Sequence, residues 1–211
     1  MSSAPGRLAV LAHELRSPVA ALVAIVEAYP TADAPRRRRL LELAGSAVAS
    51  IERLLVDAAV ASVRLERVDA GRLVCDAAET AALGGARVVA QTEAGLEVDG
   101  DPERLRQALD NLIGNAVGHS PAGGAVTVQA GREGKSVVIA VTDEGEGIAP
   151  DDVERAFEQG VRLTDARPGS GLGLALVRAI AHAHGGEVEV ESAPGRGATF
   201  RLVLPAASAA G

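Results

Sequence analysis

Three stretches of the chain place amide-bearing or very small residues at spacings that suit a phosphorylated ligand. In "DNLIGNAVGHS" (110–120), Asn111 and Asn115 stand four apart on a helical pattern and so share one face, where amide oxygens ligate Mg²⁺ or meet phosphate. Asparagine competes with the backbone inside a helix, so two of them on one face need a reason other than helix formation. "TDEGEGIAP" (142–150) puts Asp143 at the end of an apolar run, followed by Gly145 and Gly147. A ligand can then approach the backbone closely while one carboxylate accepts a hydrogen bond. "PGSGLGLALV" (168–177) sets Gly169, Gly171 and Gly173, with Leu172 among them, just ahead of a helix whose free N–H groups and dipole suit phosphate. A fourth stretch, "LAHELRSPVAAL" (11–22), carries His13 with Glu14 beside it and Ser17 four residues on. Taken singly, each has an ordinary explanation, since glycine after a strand usually makes a turn and a surface histidine is usually inert.

The elements that must carry these residues fall into two textures. From Leu8, apolar residues recur at 8, 11, 15, 19, 22 and 26, within roughly 80° of arc on a helix, and His13 lies roughly 155° from the centre of that stripe. His13 is therefore expected to face solvent. Pro18 interrupts the same helix at a cost of about 3 kcal/mol, which folding alone would avoid. After the turn "YPTADAP" (29–35), a second stripe runs through Leu40, Ala44, Ala47, Ile51, Leu54 and Ala58. Two long helices joined by a short turn make a hairpin, and a hairpin alone has nothing to bury its stripe against, so a dimeric four-helix bundle is expected. Beyond residue 63, short alternating runs ("VRLERV", "ARVVAQT", "AVTVQAG", "SVVIAVTD", "EVEVES", "TFRLVLP") alternate with helical stretches near 69–83, 101–119, 150–157 and 171–184. This predicts an α+β arrangement with a mixed, mostly antiparallel sheet.

Composition narrows the chemistry. The chain has 211 residues, 47% of them hydrophobic, with only Phe 2, Tyr 1 and Trp 0, so its core is aliphatic and stacking partners for a ligand are few. A formal charge of -7 argues against nucleic acid as a partner. No apolar run reaches the roughly 18 residues that span a bilayer, and "MSSAPGRLAV" is unlike a signal peptide, so a soluble, cytoplasmic chain is expected. The single cysteine, Cys75, excludes an internal disulfide and is expected to fill core.

In this order and spacing, the motifs together with "HELRSP" resemble the sensor histidine kinases of two-component systems. The H box falls at His13, the N box at Asn111 to Asn115, the G1 box at "DEGEG", an F box at "FEQG" around Phe157 and the G2 box at "GSGLGL", and the likeness runs to "SAPGRGATFRLVLP". The resemblance implies a dimerisation and histidine phosphotransfer domain over 1–64 and a catalytic ATP-binding domain of the GHKL, or Bergerat, fold over 68–206. It further implies a homodimer through the hairpin, ATP and Mg²⁺ as cofactors, and the receiver domain of a response regulator as partner. The chain would then be cytoplasmic, or the soluble core of a longer membrane-bound sensor. Asp143 would recognise the adenine amino group, Asn115 would hold Mg²⁺, and Asn111 would seat the phosphates. Gly169 to Gly173 would wrap the triphosphate, and 158–169 would form a mobile lid. His13 would attack the γ-phosphate with Glu14 as general base, and Ser17 would orient water for dephosphorylating the partner.

This chain departs from the family where a basic residue usually follows the N box, because "NAVGHS" has Gly118 there. Arg162, with Arg167 behind it, is the candidate substitute, and His119 is expected to line the nucleotide pocket. A degenerate nucleotide binder, a conformational ATPase of the same fold, a serine kinase of that fold and a non-catalytic scaffold are the alternatives. The ATPases carry Glu where Asn111 stands, because attack by water needs a base there, and the serine kinases lack the H box and the hairpin.

Overall fold

The computed structural model describes residues 4–61, 63–158, 161 and 171–208. They form two compact units, Met1–Ala61 and Ser62–Gly211. In the first, α1 (Ala4–Ala28) and α2 (Ala34–Val60) pair as a hairpin across a 3₁₀ turn, Tyr29–Thr31. Asp33 caps α2 by accepting the Arg36 N–H at 3.0 Å, with Pro35 in the first turn where its missing N–H is harmless. The helix thus starts inside the expected turn. Arg37 closes the tip by donating to the carbonyls of Tyr29 and Pro30, at 3.3 and 3.2 Å, and lies over the Tyr29 ring.

Leu11, Leu15, Pro18 and Leu22 are half-buried and Ile25 is buried on the face of α1 that packs in the hairpin. Val19 and Val26, expected in the same stripe, are 47% and 71% exposed, because a single partner helix covers a narrower strip than the apolar arc of α1 provides. Val23, Leu41, Leu43 and Val48 are exposed as well.

In the second unit, β1 (Glu66–Asp69) pairs antiparallel with β3 (Glu97–Gly100) in a small sheet. The strands β2 (Val88–Thr92), β4 (Val126–Glu133), β5 (Ser136–Thr142), β6 (Glu187–Ser192) and β7 (Ala198–Pro205) form a five-stranded sheet in the order β2-β4-β5-β7-β6. Only β2 and β4 run parallel, so the sheet is mixed and mostly antiparallel, as expected. Three helices, α3 (Ala70–Leu83), α4 (Pro102–His119) and α5 (Gly173–Ala183), cover one face. Alternation along β7 turns Phe200, Leu202 and Leu204 inward, and Leu105, Leu109 and Leu112 of α4 and Val177 and Ile180 of α5 are likewise fully buried. Each such side chain contributes about 1.5–3 kcal/mol by leaving water.

Three expectations are corrected. β3 has no counterpart in the sequence reading. The helix expected near 150–157 is two 3₁₀ turns, Pro150–Asp152 and Arg155–Phe157, closed by bonds such as Phe157 N–H to the Glu154 carbonyl at 3.1 Å. Cys75 lies on the exposed side of α3, its Sγ 3.9 Å from the Thr92 hydroxyl, and fills no core.

Two polar clamps set the start of α4. Asp101 caps it through the N–H groups of Glu103 and Arg104, at 3.1 and 3.2 Å, and its other oxygen accepts from the Arg64 N–H at 3.0 Å. Burial pushes this carboxyl up, but the three backbone donors, with the nearby Arg104 charge, outweigh it and hold Asp101 below the usual carboxylate range. The Asp101 N–H in turn donates to Nε2 of buried His184 at 2.9 Å, while Nδ1 of that ring lies 2.7 Å from the Ile180 carbonyl. The end of α5 is thereby tied to the beginning of α4.

Candidate functional site

Asp143 follows β5 and is 4% exposed. Its N–H donates to the Ala198 carbonyl at 2.9 Å, and its Oδ1 accepts from Gly145 N–H at 2.8 Å and from Ala198 N–H at 3.2 Å. Among the described residues, Oδ2 has no hydrogen-bond partner. A buried carboxylate with one oxygen saturated and one open is a ready acceptor for a ligand's amino group, and the two backbone donors offset the cost of its desolvation. Gly145 and Gly147 are required by close approach. A Cβ on Gly145 would lie 2.6 Å from the His119 carbonyl oxygen, and Gly147, at φ +70, would drive a Cβ into the Ala193 carbonyl oxygen.

On α4, buried Leu112, Ile113 and Ala116 hold the helix on the sheet, so Asn111 and Asn115 lie half-buried on another face. Asn111 Nδ2 donates to the Gln107 carbonyl at 2.8 Å. Its Oδ1 would lie 3.0 Å from a Cβ on Gly173, so a side chain there would press on the Asn111 amide. The Asn115 amide makes no hydrogen bond among the described residues. Gly118, one turn on, has open space where a Cβ would stand. His119 closes the helix with Nδ1 3.7 Å from Glu146 Oε1.

The glycine loop ends in Gly171, at φ +74, followed by half-buried Leu172 and by Gly173 as the first residue of α5. No side chain caps this helix and its first turn carries no acid, so its terminus favours an anion. Arg162, Arg167 and Gly169, and with them most of the expected lid, lie outside the described residues. Phe157 is buried, edge-on to Phe200 with centroids 6.3 Å apart, and lies beneath the Arg178 guanidinium at 5.0 Å. Arg178 also donates to the Phe157 carbonyl at 3.0 Å and pairs with Glu154 at 3.6 Å. Phe157 therefore packs in the core, where it anchors the chain to α5.

The motif reading missed Arg178, Ser192, Gly197 and Ala198. The turn between β6 and β7 is stitched to the Asp143 loop by Gly195 N–H to the Glu146 carbonyl at 2.7 Å and by Gly197 N–H to the Gly145 carbonyl at 3.0 Å. Gly197, at φ +68, presses on the Asp143 carbonyl so closely that a Cβ would overlap it. The paired glycines of "SAPGRG" were the available signal.

On the hairpin, His13, Glu14 and Ser17 are all exposed. Arg16 Nη1 lies 3.4 Å from His13 Nδ1, and because guanidinium can only donate, a neutral ring in this contact carries its proton on Nε2. Among the described residues no hydrogen bond joins Glu14 or Ser17 to His13.

The profile of the family described as "Histidine kinase-, DNA gyrase B-, and HSP90-like ATPase" matches residues 100–208. The chain is 39% identical over 217 aligned positions to the sensor-like histidine kinase SenX3 of Mycobacterium tuberculosis, covering 94% of this chain and 53% of that protein. It is 35% identical to the signal transduction histidine-protein kinase AfsQ2 of Streptomyces coelicolor, covering 94% and 41%. The chain thus spans about half the length of the curated relatives it matches. Among solved structures, full-length ShkA in complex with AMPPNP is similar with a TM-score of 0.69 and 30% identity, covering 99% of this chain and 47% of that one. The mycobacterial sensor histidine kinase MprB gives a TM-score of 0.61 and 30% identity, covering 68% and 98%. No described helix is long and apolar enough to cross a membrane.

Proposed function

The chain belongs to the sensor histidine kinases of two-component systems, and from that premise we propose that it is an autokinase core: it transfers the γ-phosphoryl group of ATP to His13 and then to an aspartate of a response-regulator receiver domain. Residues 1–64 act as the dimerisation and phosphotransfer domain and 68–206 as the ATP-binding domain. One observation carries the reading most directly: Asp143 is buried, held by two backbone N–H groups, and its Oδ2 has no partner among the described residues, which suits it to accept from the adenine amino group. The α5 terminus at Gly173 and the amides of Asn111 and Asn115 serve the phosphates. The unengaged Asn115 oxygen fits Mg²⁺, a hard cation that takes few protein ligands alongside substrate phosphate, and the ion would neutralise charge on the triphosphate.

In the transfer, one imidazole nitrogen of His13 attacks the γ-phosphorus, the bond from phosphorus to the β–γ bridging oxygen breaks, and ADP leaves. The proton on the other nitrogen passes to Glu14, the adjacent carboxylate. Arg16 must release Nδ1 for this, and a 3.4 Å exposed contact is a weak restraint. A receiver aspartate oxygen then takes the phosphoryl group and frees the imidazole. Ser17, one helical turn on, would orient water for the opposing task of dephosphorylating that aspartate. Exposed Val19, Val23 and Val26 of α1, with Leu41 and Val48 of α2, support a four-helix bundle made by two chains. The ATPase reading is less suited, since Asn111 has no carboxylate to activate water.

Incubation with γ-labelled ATP tests the proposal. A label that is acid-labile, base-stable and lost in His13→Ala is expected. Intact nucleotide binding with no label would overturn it.

A further inference from the structure

We propose that Ser192 is a positioning residue for base recognition, its hydroxyl holding the Asp143 loop in the shape that selects adenine over guanine. The inference rests on the reading of Asp143 as the adenine acceptor and extends it to a residue that contacts no ligand. Ser192 ends β6, half-buried, and its single hydroxyl is used in both directions: it accepts from the Ile148 N–H at 2.8 Å and donates to the Gly197 carbonyl at 2.7 Å. Those two groups belong to the two segments that enclose Asp143. Ile148 ends the loop that begins at Asp143 itself, and Gly197 precedes Ala198, which pairs with Ser192 across β6 and β7. Ala198 receives the Asp143 N–H and returns its own N–H to Oδ1.

Apart from Asp143 itself, Ser192 is thus the one side chain among the described residues that bonds both segments. Among the described residues, the other links between them are main chain, or main chain to Asp143. The consequence is chemical. Adenine presents an amino donor where guanine presents a carbonyl acceptor, so a carboxylate oxygen fixed in place accepts from the first and repels the second. A site built around such a bond discriminates strongly, but only while the acceptor cannot turn away or take up water. Replacing the hydroxymethyl group with a methyl leaves the Ile148 N–H and the Gly197 carbonyl without this partner and lets the two segments part, which frees the Asp143 carboxylate.

Displacement of a fluorescent adenine nucleotide by unlabelled ATP or GTP, on the intact chain and without phosphoryl transfer, reads this directly. Wild-type protein is expected to favour ATP. Ser192→Ala should shrink the ATP-to-GTP preference by about tenfold or more, chiefly by weakening ATP. Ser192→Cys, which keeps the volume but donates poorly, should do the same, and Ser192→Thr, which keeps the hydroxyl, should restore most of the preference. A purely structural serine would lower the melting temperature and leave the ratio within about twofold. That result in either Ser192→Ala or Ser192→Cys overturns the proposal, as does a threonine variant no better than alanine. Wild-type protein that binds nucleotide without preferring ATP overturns the reading of Asp143 itself, and the Ser192 inference with it.

Discussion

His13 and Asp143 are the two side chains at the centre of the proposed chemistry, and their surroundings differ. His13 stands exposed on a helix, touched by one long contact from Arg16. Asp143 is almost wholly buried, with its main chain and one carboxylate oxygen held by Ala198 of a distant segment and by Gly145 of its own loop. A nucleophile that must meet a phosphate and then a separate protein has to be accessible, and water is a tolerable neighbour for it between reactions. A group that reads a base has to be still, and stillness comes from backbone bonds in a dry setting. The same contrast runs through the units that carry them. The hairpin leaves apolar side chains such as Val26 in the open, while the layer beneath the sheet is closed around Leu109, Ile180 and Phe200.

That contrast can be broken or sharpened. His13→Ala should abolish the acid-labile label entirely while changing stability by less than about 0.5 kcal/mol, since it removes an exposed side chain. Labelling and thermal melts would check both halves. Leu109→Ala empties a site with no exposed surface and should cost the second unit about 2–5 kcal/mol, against a few tenths for Val26→Ala in the hairpin, read by denaturant unfolding. Asp143→Ala should weaken ATP binding by about 1.5–3 kcal/mol, the range for a hydrogen bond to a charged group, as measured by calorimetric titration. Gly118→Lys meets open space, so it should fit and tighten ATP by up to about tenfold through one added cation on the triphosphate side, losing that gain at high salt.

The smallest effect concerns pH. Because the folded-state pKa of Asp101 is depressed, its contribution is complete above the unfolded value of ~3.9 and is lost as pH falls through the lower folded value. Asp101→Asn should therefore be the less stable protein near neutrality and show a shallower loss of stability below about pH 4, followed by urea melts across the acid range.

Much of the fold was legible because its signals are local. The turn "YPTADAP" marked the break between the two helices of the hairpin, and alternation marked β5 and β7. The candidate residues of the nucleotide motifs were legible for the same reason, as spacings within short stretches. What was not legible depended on distant partners. β3 is a four-residue segment ending in Gly100 that becomes a strand by pairing with β1, more than a helix away in sequence. "PDDVERAF" reads as a helix by composition, yet the chain winds it tighter where Phe157 reaches Phe200 and Arg178. Cys75 was placed in the core by its usual habit, although α3 turns that face outward. Val19 and Val26 lay in the apolar arc, but the hairpin was too narrow to cover them.

The sequence by itself determined which residues could do chemistry, that His13 would face away from its helix's apolar stripe, and that Asn111 and Asn115 would share a face. Those facts follow from helical periodicity and residue type. Only the tertiary structure decided how Asp143 is aimed. Its donors at Ala198, the clasp of Ser192 and the Arg178 hold on Phe157 arise from sheet register and helix packing, which bring together groups that no local pattern relates.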